Sequence, residues 1–173
     1  MLTRNDINAH FERTGGRPSR ALGQNFVADP NTVRRIVRLA EVHEGDHVVE
    51  IGPGLGSLTL ALAEVGADVV AIEIDGDLVP VLREQVEPRG VRVVHADATS
   101  FDWATLFAEW GVDRASLVAN LPYNVSTPLV CDLLDFVPQV RRMLVMVQRE
   151  VAERLAAVPG TAAYGIPSVK VAY

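Results

Sequence analysis

The sequence predicts an α/β domain built on a doubly wound, mostly parallel sheet, and three observations carry that prediction. Five short runs rich in β-branched residues recur along the chain: "HVVEIG" (47–52), "DVVAIEI" (68–74), "VRVVHAD" (91–97), "SLVANL" (116–121) and "RMLVMVQ" (142–148). Such near-continuous apolar runs are those of strands covered on both faces. Helical stretches separate them: "SLTLALAEV" (57–65), "DLVPVLREQVE" (77–87), "WATLFAEW" (103–110) and "TPLVCDLLDF" (127–136). Finally, glycines and polar residues collect where the runs end. In alternating sheets of this kind, ligands bind outside the carboxyl ends of the strands, near the switch in strand order.

At 173 residues, 49% hydrophobic and 22% charged, the chain can bury one core and is too short for two ordinary ones. Residues 1–21 read as an N-terminal arm, with "TGGRPS" a flexible break, and residues 22–173 as a single domain. The stretch "DPNTVRRIVRLAEV" reads as a helix, with Asp29 at the N-cap and Pro30 at the first helical position. Val33, Ile36, Val37 and Ala40 fall on its buried face. No repeats or low-complexity tracts interrupt the pattern.

The single cysteine, Cys131, excludes an internal disulfide and fits a reducing compartment. The N-terminus lacks the apolar segment of a signal peptide, and no apolar run reaches the roughly 20 residues that span a bilayer. The expectation is a soluble, cytoplasmic protein with no membrane partner. The net charge of −6 is unevenly spread. Seven arginines against three acids in residues 1–40 leave +4 there and −10 elsewhere, so phosphate contacts are expected only locally. A solvated arm and helix face would carry the same arginines.

Four placements define the candidate site. "EIGPGLGSLT" (50–59) puts Gly52, Gly54 and Gly56 in the turn after the first strand, where glycine lets a ligand approach the backbone. The spacing G-x-G-x-G differs from the dinucleotide fingerprint and favours an adenosyl group with an amino-acid tail over a pyrophosphate. Glu73, 21 residues after Gly52, stands where a carboxylate reaches two ribose hydroxyls. Asp75 and Asp77 read as turn and N-cap residues. Asp97 can accept from an exocyclic amine or cap the next turn. His95 reads as a strand residue, and His10, His43 and His47 show no ligand spacing, so no metal site is expected.

The fourth placement is "NLPYN" (120–124). The amine of an aromatic base is a poor nucleophile because its lone pair is delocalised. The side-chain oxygen of Asn120 and the backbone carbonyl of Leu121 can grip its two hydrogens and aim the lone pair at an electrophile. Pro122 fixes that carbonyl, and Tyr123 offers a face for stacking, a contact worth roughly 1–3 kcal/mol. Read as an ordinary turn, the same five residues would need no ligand.

As an ordered set, "LGQNF" (22–26), "EIGPGLGSLT", Glu73, "ADAT" (96–99), "NLPYN", "QREVAERL" (148–155) and "YGIPSVKVAY" (164–173) closely resembles the KsgA-type ribosomal RNA adenine dimethyltransferases. That resemblance covers the chain from about residue 18. It implies a Rossmann-like methyltransferase fold, S-adenosyl-L-methionine as cofactor, and N6,N6-dimethylation of adenines near the 3′ end of small-subunit rRNA. It places Gln24, Asn25, Val27, Gly52, Glu73, Asp97 and Asn120 at the cofactor, with Asn120, Leu121, Pro122 and Tyr123 around the target adenine. The implied partner is the assembling 30S subunit, and the implied state of the full-length protein is a monomer. Family members continue past the "SVKVAY" equivalent with two more strands and a helical domain. The chain is therefore expected to be truncated, with an open sheet edge.

Three other readings stay open at this stage. A large-subunit rRNA adenine methyltransferase of the macrolide-resistance type shares similar glycine and "NLPY" motifs. A nicotinamide-dependent oxidoreductase would need another glycine spacing and a hydride-transfer acid. A non-catalytic ribosome assembly factor would use the fold as scaffold.

Overall fold

The computed structural model describes residues 29–173, without the side chains of Tyr123 and Asn124. Helix α1 (Pro30–Leu39) begins as its sequence dictates: the Asp29 carboxylate accepts the Thr32 N–H at 2.8 Å, and Pro30 needs no partner at the first turn. Val33, Ile36 and Val37 are buried, while Arg34, Arg35 and Arg38 face solvent and make no ion pair among the described residues. Of the basic N-terminal segment, this part is a solvated helix face.

Strand β1 (His47–Ile51), helix α2 (Ser57–Glu64), β2 (Asp68–Glu73), α3 (Val79–Val86), a 3₁₀ turn (Glu87–Arg89) and β3 (Arg92–His95) build one half of the domain. Helix α4 (Trp103–Trp110), β4 (Ala115–Asn120), α5 (Tyr123–Phe136), β5 (Val140–Met146), α6 (Arg149–Leu155) and α7 (Ile166–Ala172) build the other. All five strands pair in parallel, in the order β3-β2-β1-β4-β5. Order therefore reverses between β1 and β4, and a crevice opens there.

Side chains on the central strands alternate between two cores, as the two-residue period of a strand requires. Val48, Val69, Ala71 and Val118 pack with α1, α2 and α3 on one face. Val49, Ile51, Val70, Ile72, Leu117 and Ala119 pack with α4, α5 and α6 on the other. Burial on both faces explains why the runs read as continuously apolar rather than alternating. β3 and β5 are the edge strands among the described residues, and the first half of β5 leaves Arg141 and Arg142 exposed.

Two local expectations are corrected. The fifth helix starts at Tyr123, four residues before the predicted Thr127, so the turn after β4 is only Leu121 and Pro122. Pro122 sits at the N-cap with φ −64° and ψ 147°, and its carbonyl accepts the Val125 and Ser126 N–H groups at 3.3 and 3.1 Å. Pro128 hides this in sequence: a mid-helix proline costs one backbone hydrogen bond and reads as a start signal. Asp77 caps no helix. Asp75 does the turn's work instead, accepting the Asp77 N–H on its side chain at 3.0 Å and those of Leu78 and Val79 on its carbonyl.

Candidate functional site

Register places the predicted residues before any side chain is considered. Ile51 pairs with Ile72 on one side and Ala119 on the other, so the next residues, Gly52, Glu73 and Asn120, form one row across the switch point. Adjacent strands lie about 4.8 Å apart, which sets Glu73 and Asn120 roughly 10 Å from each other across Gly52. Glu73 pairs with His95, and Asp97 follows two residues beyond. Residues from four separate stretches of the chain thus line one edge.

The three glycines take different parts. Gly52 is exposed at φ 69°, its N–H given to the Ile72 carbonyl at 2.9 Å, and an added Cβ would come only within 3.7 Å of the Asn120 carbonyl. Its open side lies in the crevice. Gly54 is buried at φ 58° and donates its N–H to Glu73 Oε2 at 2.9 Å. Gly56 faces inward: a Cβ there would lie 2.9 Å from Val86 Cγ1 and 3.0 Å from Leu82 Cδ1. The close approach that Gly56 permits is that of α3, and Gly56 also forms the left-handed N-cap of α2, which no side chain covers.

Glu73 is 4% exposed, and its second oxygen accepts the Asp75 N–H at 2.9 Å. Burial raises its pKa, and the backbone donors of Asp75 and Gly54 oppose that rise. The carboxylate is thereby clamped between the glycine turn and its own, with unused lone pairs for further donors. Asp97 does cap its turn, Oδ1 accepting the Thr99 hydroxyl at 2.7 Å and N–H at 2.9 Å. Those two bonds hold its pKa below the usual carboxylate value. Its Oδ2 accepts nothing among the described residues, so the cap and a ligand contact are compatible.

At the far side of the row, the Leu121 N–H is tied to the Met146 carbonyl at 3.0 Å. The N–H groups of Val125 and Ser126 go to the Pro122 carbonyl, so neither of these two helix donors takes the Leu121 carbonyl. Asn120 ends β4 half-buried, with Leu121 buried behind it. A broad cleft among Asp46, Asp113, Arg114 and Arg141 lies at the opposite, N-terminal ends of the strands, away from this row.

Likeness to known proteins agrees with the geometry. A family model described as ribosomal RNA adenine dimethylase matches residues 17–173. The chain belongs to that family. The ribosomal RNA small subunit methyltransferase A of Corynebacterium jeikeium is 50% identical over 179 residues, which take in all of this chain and 56% of that protein. This chain thus spans little more than half of that curated relative. Among solved structures, a dimethyladenosine transferase from Plasmodium falciparum is similar with TM-score 0.72 and 27% identity, over 86% of this chain and 52% of the other. The 23S rRNA methyltransferase ErmE follows at TM-score 0.65 and 29% identity, over 75% and 50%.

Two residues beside this row escape the sequence reading. Glu50, in β1, is 2% exposed; burial, and less so the neighbouring Glu73, raise its pKa to about 8 against the pull of the nearby Thr59 hydroxyl. Glu50 Oε2 and Thr59 Oγ1 are nevertheless the two buried side-chain atoms without a hydrogen bond among the described residues. A charged residue inside an apolar run was the available signal. Ile74, just past β2, leaves 46% of its surface open beside Glu73, where an apolar residue would gain by burial. Gln24, Asn25 and Val27 lie outside the described residues, as does the Tyr123 side chain.

Proposed function

We propose that the protein is an S-adenosyl-L-methionine-dependent enzyme that dimethylates the N6 amine of adenines near the 3′ end of small-subunit rRNA, in the cytoplasm and on assembling 30S subunits. The observation that carries this reading is the row Glu73–Gly52–Asn120 at the switch point, in a chain of the adenine dimethylase family. The residues present suit the cofactor's parts. Glu73, held by two backbone donors, offers its remaining lone pairs to the ribose hydroxyls. Ile74 gives an apolar face for the adenine, and Asp97 Oδ2 an acceptor for its amine. Gly52 leaves room for the methionine end, and the Glu73 carboxylate, held by two backbone N–H donors, makes the crevice favourable to positive charge.

When bound, S-adenosylmethionine supplies an electrophilic methyl on a cationic sulfur. The chain's own task is to present the acceptor. The Asn120 side-chain oxygen and the Leu121 carbonyl accept the two hydrogens of the target amine, which favours the pyramidal nitrogen and points its lone pair along the row. Pro122, with its φ restricted, holds the Leu121 carbonyl in place. Tyr123 opens α5 and is assigned the stacking role by its place in "NLPYN". No general base is needed, since the proton leaves to water after transfer. Rate then comes mainly from positioning two reactants. The target adenine must leave its stack, at a cost of a few kcal/mol.

Methyl incorporation from labelled cofactor into undermethylated small and large subunits tests the proposal. Label is expected in small-subunit rRNA as N6,N6-dimethyladenine, and Asn120→Ala should lower it about 100-fold. Unchanged transfer by that variant would remove Asn120 from the chemistry and favour a scaffold role. Incorporation into large subunits alone would favour the function named for ErmE.

A further inference from the structure

The turn after β2 is tied down from Asp75 onward. The Asp75 N–H goes to Glu73, the Asp77 N–H to the Asp75 side chain, and those of Leu78 and Val79 to the Asp75 carbonyl. Ile74, which carries the apolar face of the candidate nucleoside slot, has no such internal anchor at its carbonyl. Among the described residues that carbonyl accepts from one group, the Nε2–H of His95, at 3.3 Å. The acceptor is a carbonyl, so the imidazole proton must sit on Nε2.

A second observation concerns the same ring. A Cβ on Gly76 would lie 3.2 Å from His95 Cε1 and 3.4 Å from Nε2. Gly76 has no positive φ that would call for glycine. The missing side chain serves the fit of the imidazole against the turn. His95 itself ends β3 opposite Glu73, so a strand end, a ring and a glycine meet beside the carboxylate.

We infer that His95 is a positioning residue for the cofactor: seated on Gly76 and bonded to the Ile74 carbonyl, it holds Ile74 where the adenosyl base packs. This rests on the cofactor site proposed above. His95 touches no reacting atom; it acts on recognition through Ile74.

Calorimetric titration of this chain with S-adenosylmethionine tests it, with thermal unfolding followed by circular dichroism for each variant. His95→Ala is expected to raise Kd about three- to tenfold, the range set by loss of one net hydrogen bond. His95→Gln, whose amide nitrogen reaches the Nε2 position, should stay within about twofold of the parent; His95→Asn, which is too short, should behave like alanine. Gly76→Ala should weaken binding in the parent and have little further effect beside His95→Ala, because the two act through one contact. Equal affinity in the parent, the alanine variant and the asparagine variant would overturn the inference. So would equal loss in the glutamine and alanine variants, or additive losses in the double variant. Absence of binding by the parent would instead overturn the cofactor site itself, and the inference with it. Should His95→Ala fail to fold, the glutamine–asparagine comparison decides.

Discussion

In the proposed site Glu73 has two jobs that a sequence shows as one letter. Its spacing from Gly52 marks it as a ribose ligand, yet in the fold it also locks the Gly54 and Asp75 backbones. Glu73→Gln keeps the shape, removes the charge, and turns an amide hydrogen toward one of those donors. Cofactor affinity measured by calorimetry should fall about 10- to 100-fold, since hydrogen bonds to a charged acceptor are the stronger kind. Glu50 yields a different test. Its pKa is about 8 in the fold against an ordinary value of 4.5, so the folded protein binds more protons between those values. Stability is then fully present below about pH 4.5 and is lost as pH rises through 8, at a rate of at most about 1.4 kcal/mol for each step of one in pH. Thermal unfolding should show a Tm that drops from about pH 5 to about pH 8.5, and Glu50→Gln should flatten that slope. An unchanged slope would mean that Glu50 does not hold its proton.

At the scale of elements, the glycine turn is a packing device as well as a site. Gly56 combines a left-handed φ of 87° with α3 side chains 2.9 and 3.0 Å from the position of a Cβ. Gly56→Ala should therefore cost about 2–4 kcal/mol, from backbone strain and crowding together, and lower Tm by roughly 5–10 °C. Gly52→Ala meets no such crowding and carries only the backbone strain of its φ of 69°, so its Tm should fall less than that of Gly56→Ala, while cofactor affinity should fall as well. The sequence showed three glycines in one motif and could not divide these roles, because the neighbours that decide Gly56, Leu82 and Val86, lie far along the chain in α3. The start of α5 was hidden for a related reason. Pro122 and Pro128 both read as breaks, and only the hydrogen bonds to the Pro122 carbonyl show which one begins the helix.

For the whole molecule, strand runs and their order in the chain were legible because burial on both faces leaves an unmistakable apolar signature. The edge that gathers Gly52, Glu73, Asp97 and Asn120 was legible too, since every such residue falls at or just after a strand end. What sequence could not show is register, which sets Gly52 between Glu73 and Asn120 in a single row. Ile74 was not legible either, since its meaning depends on exposure rather than on spacing, and for Glu50 the one signal was a charge inside an apolar run. A crystal structure of this chain with S-adenosylmethionine would show whether the cofactor occupies this row. The ribose hydroxyls are expected on Glu73, the adenine against Ile74 with its amine toward Asp97, and the sulfonium methyl facing Asn120 across Gly52. Cofactor seated elsewhere, such as the cleft of Arg114 and Arg141, or with its methyl turned away from Asn120, would contradict it.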